Sequence, residues 1–217
     1  MGDEQKKFAA LIGSPSAVLA SEEYFNNYSS SRENSFLLGP TAKGRKTKLI
    51  VLAASLNGRQ EAEQAFRQIT HHYSDLWHDS AEYYRRYLNE TVSLELPDSR
   101  LKQAYDWARI SMLQGMVSNP YLGTSLVAGY RTSGSDERPG FAWFFGRDAL
   151  WTAFTLNAEG AFASTRTALE FLSHISAPDG KIPHEIAQTA TLVRWFQDYP
   201  YAFASADATP LYIAARD

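Results

Sequence analysis

The spacing of apolar positions along the chain changes character twice. Near the start, Leu49-Ile50-Val51-Leu52-Ala53-Ala54 is an unbroken apolar run. It lies between the basic stretch Lys43-Gly44-Arg45-Lys46-Thr47-Lys48 and the turn pair Asn57-Gly58. Such a run between turn signals predicts a strand, and Phe36-Leu37-Leu38-Gly39-Pro40 is its expected partner across the turn. Residues 1–57 are therefore read as part of a β-sheet. From Arg59 the spacing becomes helical: Ala62, Phe66, Ile69, Tyr73, Leu76, Ser80, Tyr83 and Tyr87 alternate steps of four and three and form one stripe. A helix from Arg59 to Asn89 would be about 45 Å long, enough to cross a domain and connect two bodies.

The second half alternates helices and loops. Pro97-Asp98-Ser99 predicts a helix start. Leu101, Ala104, Tyr105, Ala108, Met112 and Met116 then keep helical spacing to a stop at Asn119-Pro120. A loop over 119–146, a helix from Asp148, a helix over 162–175, a turn at Pro178-Asp179-Gly180 and a helix opening at Asp207 follow. Helices separated by long aromatic-rich loops predict an α/α toroid, in which the loops at one end form a cleft. The expected fold class is mainly α. It comprises part of a β-sheet (1–57), a helical linker (58–97) and an incomplete α/α toroid (98–217), which the resemblance described below makes the end of a β-sandwich and the first part of a six-hairpin barrel. The sequence ends at Asp217 within the last helix. On this reading the ring continues beyond it, and Leu169, Leu172 and Ile175 are left partly uncovered.

Composition narrows the function classes. The chain has 217 residues, 44% hydrophobic and 13% aromatic, enough to bury a core. Its formal net charge of −3 gives no field that would attract nucleic acid or an anionic membrane, so neither is expected as a partner. The absence of cysteine removes thiolate catalysis and cysteine-ligated zinc. The apolar run Phe8 to Ile12 is shorter than a signal-peptide core of about 7–15 residues, and a cytoplasmic location is expected.

The densest chemistry lies in Pro139-Gly-Phe-Ala-Trp143-Phe-Phe-Gly-Arg147-Asp148-Ala-Leu-Trp151. Gly146 permits a tight turn, and Arg147 and Asp148 open a helix whose apolar face runs through Leu150, Phe154 and Ala158. Sugars are held by planar hydrogen bonding to neighbouring hydroxyls and by stacking on aromatic rings, so an Arg-Asp pair beside Trp143, Phe144 and Phe145 suits a carbohydrate. The alternative is that Asp148 caps the helix and the aromatics are core. At Ser205-Ala206-Asp207-Ala208-Thr209-Pro210, either Asp207 or its neighbour caps the next helix, or Asp207 faces a cleft beside Asp148. His184 and Glu185 either hold hydroxyls at the cleft edge or form a solvated pair after the 178–180 turn. His71, Asp75 and His78 share a helix face, but a solvated face explains them better than a metal, and no metal or cofactor is expected.

FAWFFGRDALW, PDGKIPHEI and SADATPLYI, in that order, resemble the first half of the catalytic domain of bacterial amylo-alpha-1,6-glucosidases. These are the glycogen-debranching-like members of the six-hairpin glycosidases. The resemblance covers about 98–217. It implies a β-sandwich, a linker helix and a six-hairpin barrel, hydrolysis of α-glucosidic linkages in glycogen or oligosaccharides, and a carbohydrate partner. Under the same resemblance Arg147 and Asp148 would bind the terminal sugar, Trp143 would wall the pocket, and Asp207 would line the cleft. The catalytic acid and base, two carboxylates about 6.5–9.5 Å apart if the reaction inverts, would lie beyond Asp217. A sugar phosphorylase on the same scaffold and a non-catalytic carbohydrate-binding or scaffold protein are the alternatives.

Overall fold

The structure, a computed structural model, describes residues 8–15, 18–19, 36–37, 48–130, 140–191 and 201–216. The basic stretch 43–47, Leu38 to Pro40, Pro139 and Asp217 lie outside the described residues. The chain divides into two compact units, Met1–Glu82 and Tyr83–Asp217. Among the described residues there are five helices and small antiparallel sheets, compatible with a mainly α class.

In the first unit, β1 (Ala9–Gly13) pairs antiparallel with β4 (Val51–Ser55), and β2 (Val18–Leu19) pairs with β3 (Phe36–Leu37). The partner of the 49–54 run is thus β1 and not the Phe36 segment, which corrects the expected hairpin. β4 alternates strictly, with Val51, Ala53 and Ser55 buried and the residues between them exposed. The first turns of α1 (Arg59–Glu90) belong to this unit, where Ala62 is fully buried. A β-carbon at Gly13 would lie 3.2 Å from the Phe66 ring, so β1 presents its smallest residue to the helix.

The expected helix over 59–89 is present, with a local break in helical geometry at His72. Its stripe is not buried throughout. Residues 71–80 are exposed on every side, Trp77 to 78%, so the apolar spacing there forms a helix without covering it.

The second unit takes in the end of α1 and then α2 (Ser99–Gln114), capped by Asp98, whose carboxylate accepts from Arg100 N at 2.8 Å. The stripe expected through Leu101, Ala104, Tyr105, Ala108, Met112 and Met116 is kept in part: Tyr105, Met112 and Met116 are partly buried, the two methionines against the core. Arg109, Ile110 and Leu113 are buried, while Leu101, Ala104 and Ala108 are exposed. The reason is Arg109, whose guanidinium donates to Asp106, Thr91 Oγ1 and the Leu88 carbonyl and lies 5.3 Å from the centre of the Tyr105 ring. A paired, hydrogen-bonded arginine has taken a core position that sequence spacing assigns to apolar residues. The helix ends at Gly115. Met116, expected to be helical, opens β5 (Met116–Asn119), which pairs with β6 (Gly123–Leu126). The turn between them forms because Asn119 Oδ1 accepts from Tyr121 N and Leu122 N, the local bonding that stops a helix and starts a hairpin.

β7 (Phe144–Phe145) leads directly into α3 (Gly146–Ala158). α4 (Phe162–His174), β8 (Glu185–Ile186) and α5 (Ala208–Arg216) follow. Leu126, Phe144, Leu150, Leu156, Phe171 and Leu172 make the core in which α3, α4, α5 and β6 meet. Leu172 is almost fully buried, contrary to the expected uncovering, whereas Leu169 and Ile175 are partly buried. Ala158, expected on the buried face of α3, is exposed. No described helix is long and apolar enough to cross a membrane.

Candidate functional site

The strand-to-helix passage at 143–148 places the candidate residues. In β7 the side chains alternate. Phe144 enters the main core, its ring 4.7 Å from that of Phe171, while Trp143 and Phe145 form a second small cluster with Ala187. β7 pairs with β8 through Phe144↔Ile186 and Phe145↔Glu185, and Val127 bridges to Phe144 from the other side.

At Gly146 the extended chain turns into α3 under tight constraint. A β-carbon there would lie 2.1 Å from the Pro183 carbonyl oxygen, 3.2 Å from Ile182 Cγ2 and 3.4 Å from Ala208 Cβ. Gly146 N donates to the His184 carbonyl at 2.9 Å, and Ile182 N donates to Thr209 Oγ1 at 3.0 Å. The start of α3, the 182–184 segment and the start of α5 therefore converge on one residue without a side chain. This convergence brings together Arg147 and Asp207, 60 positions apart.

Arg147 Nη1 lies 3.4 Å from Asp207 Oδ2, and both side chains are 49% exposed. One donor of the guanidinium is engaged, and half of each charged group still faces solvent. Asp148 sits in the first turn of α3, half-buried, where the helix dipole favours its charge. It does not cap the helix: the capping position is Phe145, without a side-chain cap bond. Asp207 does not cap with its side chain either. Ser205 Oγ accepts from Ala208 N at 3.2 Å and donates to Asp207 Oδ1 at 2.5 Å. The Ser205 hydroxyl bond is the largest cause holding the Asp207 carboxyl below the usual carboxylate range; desolvation opposes it, and the bond from Asp207's own backbone N–H and the charge and hydrogen bond of Arg147 add to the lowering.

The other expected site residues pack around Phe145. Trp143 is 8% exposed and packs with Phe145, so it supports the site from within and offers little open ring face. His184 is half-buried and meets the Phe145 ring edge-on, with centroids 5.7 Å apart. Its Nδ1 is buried with no hydrogen-bond partner among the described residues. Glu185 is buried in β8 beside Phe145, which corrects the reading of His184 and Glu185 as a solvated pair. The 178–180 turn is as expected: Gly180, at φ +84°, donates to the Ala177 carbonyl, and Asp179 accepts from Lys181 N. Phe141, 60% exposed and 6.1 Å from the Phe145 ring, is an aromatic surface that the sequence reading did not single out.

On α1 it is His72, not His71, that lies near Asp75, at 3.7 Å and in solvent. No group of three or more His, Asp or Glu residues suited to a metal occurs among the described residues. A concavity of about 840 Å³ lies at the far ends of α3 and α5, lined by Asn157, Arg166, Glu170, His174, Tyr212 and Arg216. It does not include the Arg147–Asp207 pair. No protein-family model, no curated protein and no solved structure matches this chain.

Proposed function

We propose that the chain carries the sugar-binding end of a glycoside hydrolase domain acting on α-glucosidic linkages of glycogen or oligosaccharides, with its helices belonging to an α/α toroid. The observation that supports this reading is the half-open Arg147–Asp207 pair, built from two helix starts and placed beside Asp148. A guanidinium with free donors and carboxylates with free acceptors match the vicinal hydroxyls of a hexose, which both donate and accept. The exposed Phe141 ring, which meets Phe145 just before α3, suits the C–H face of a sugar.

Within this reading Arg147, Asp148 and Asp207 bind the terminal sugar, and Trp143, Phe145 and His184 hold the floor of the site. Asp207 is a poor general acid, because groups that favour its ionised form surround it, and an acid must keep its proton near neutral pH. The proton donor is therefore a group other than Asp207.

The test is a calorimetric titration of the chain with maltotriose and with isomaltose, alongside Arg147→Ala and Asp148→Asn. Each substitution is expected to weaken binding at least about tenfold, the loss of one charge-assisted hydrogen bond. Absence of sugar binding by the unsubstituted chain, or binding by both variants as tight as that of the unsubstituted chain, refutes the reading. Glucose release that depends on added phosphate would assign the chain to a phosphorylase instead.

A further inference from the structure

Ser205 lies two residues before Asp207, is buried, and was not among the residues expected to carry function. A serine hydroxyl has one proton to give and lone pairs to receive. Here both capacities are used in a fixed direction. The Ala208 N–H donates to Oγ at 3.2 Å, and Oγ donates onward to Asp207 Oδ1 at 2.5 Å. The backbone bond from Leu211 N to the Asp207 carbonyl at 3.1 Å starts the helix, so the Asp207 backbone is fixed as well. With Oδ1 held by Ser205, Oδ2 is the oxygen presented to Arg147.

Resting on the carbohydrate reading above, we propose that Ser205 is a positioning residue of the site. By capping α5 and donating to Oδ1, it orients the Asp207 carboxylate so that Oδ2 meets Arg147 and a substrate hydroxyl. The neighbouring packing supports a rigid arrangement. Ala208 is fully buried against Gly146, and Thr209 Oγ1 receives Ile182 N, so the first turn of α5 cannot rotate to substitute another donor. The largest single cause of the lowered Asp207 carboxyl pKa is this hydroxyl, ahead of the charge on Arg147.

The proposal separates the hydroxyl from the arginine, and the experiment does the same. The carboxyl carbon of Asp207 is followed by NMR against pH in the 217-residue chain and in Ser205→Ala, Ser205→Thr and Arg147→Gln. Ser205→Ala is expected to shift the Asp207 titration upward toward the ordinary carboxylate range, and Ser205→Thr, which keeps the hydroxyl, to restore it. In Arg147→Gln the titration is expected to stay low. An unchanged midpoint in folded Ser205→Ala, or a return to the ordinary range in Arg147→Gln, overturns the proposal. The Arg147→Gln arm decides the matter if Ser205→Ala does not fold. Maltotriose affinity in Ser205→Ala is expected to fall about fivefold. Failure of all forms to bind sugar would reject the carbohydrate reading and leave the titration result standing.

Discussion

At the scale of single residues, Gly146 and Asp207 are governed by opposite requirements. Gly146 has no room for a side chain, because the Pro183 carbonyl occupies the space a methyl group would need. Gly146→Ala is expected to destabilise the fold by about 3 kcal/mol or more, measured by urea unfolding. A midpoint within error of the unsubstituted chain would show that the 182–184 segment yields easily. The sequence marked this glycine as a turn residue, but the close approach comes from a segment 37 positions later and has no local signature. For Asp207, the folded pKa is lowered, so its contribution to stability is present above its unfolded value of about 4 and is lost as pH falls through the folded value. Asp207→Asn is expected to flatten this acid-side loss below about pH 4, a small and salt-sensitive effect for an exposed group, read by thermal denaturation at several pH values. An identical pH profile in the variant would contradict it. Asp207 itself was legible as a helix-start residue. That its neighbour Ser205 takes over the capping bond and frees the carboxylate was not, since both residue types cap equally well.

At the scale of elements, the helices with strong periodicity were readable to within a residue or two at most ends, as in the 162–175 expectation against Phe162–His174. Short-range bonding defeated the same reading at Met116, where the Asn119 turn turns the chain back into a hairpin, and at the buried face of α2, where Arg109 is held by Asp106, Thr91 and Leu88. Two hydrogen bonds to Glu159 tie the end of α1 and the residues after it to the end of α3. Tyr87 donates to Glu159 Oε2 at 2.9 Å, and Val92 N donates to the Glu159 carbonyl at 2.8 Å. Burial, and then this bond to Glu159, raise the Tyr87 hydroxyl pKa well above that of an ordinary phenol. Glu159 is itself buried. Tyr87→Phe removes its donor and is expected to cost about 1–3 kcal/mol, because a buried carboxylate loses a partner. A chemical-denaturation midpoint unchanged by the substitution would mean that Glu159 finds another donor.

At the scale of the whole molecule, the chain is two compact units whose boundary falls inside α1, next to the exposed span 71–80. A helical span without packing opens at low free-energy cost. Brief chymotrypsin treatment is expected to cut first at Tyr73, Leu76 or Trp77 and to leave a C-terminal product that resists further digestion. First cuts within α3 to α5 would show that this span is protected instead. Sequence periodicity predicted the helix but not its bareness, since the spacing of apolar residues is the same whether or not anything covers them. The passage from Trp143 to Asp148 has a consequence of another kind. Its residues point in turn to the small cluster, the main core, the small cluster again and then, after one helical step, to solvent. The arrangement depends on counting. Removing Phe145 with α3 held in place would send Phe144 out of the main core and Trp143 into the space shaped for Phe144, although every residue type needed would still be present. Over this stretch, Gly146 apart, evolution and protein engineering alike have more freedom to exchange letters than to change the number of them.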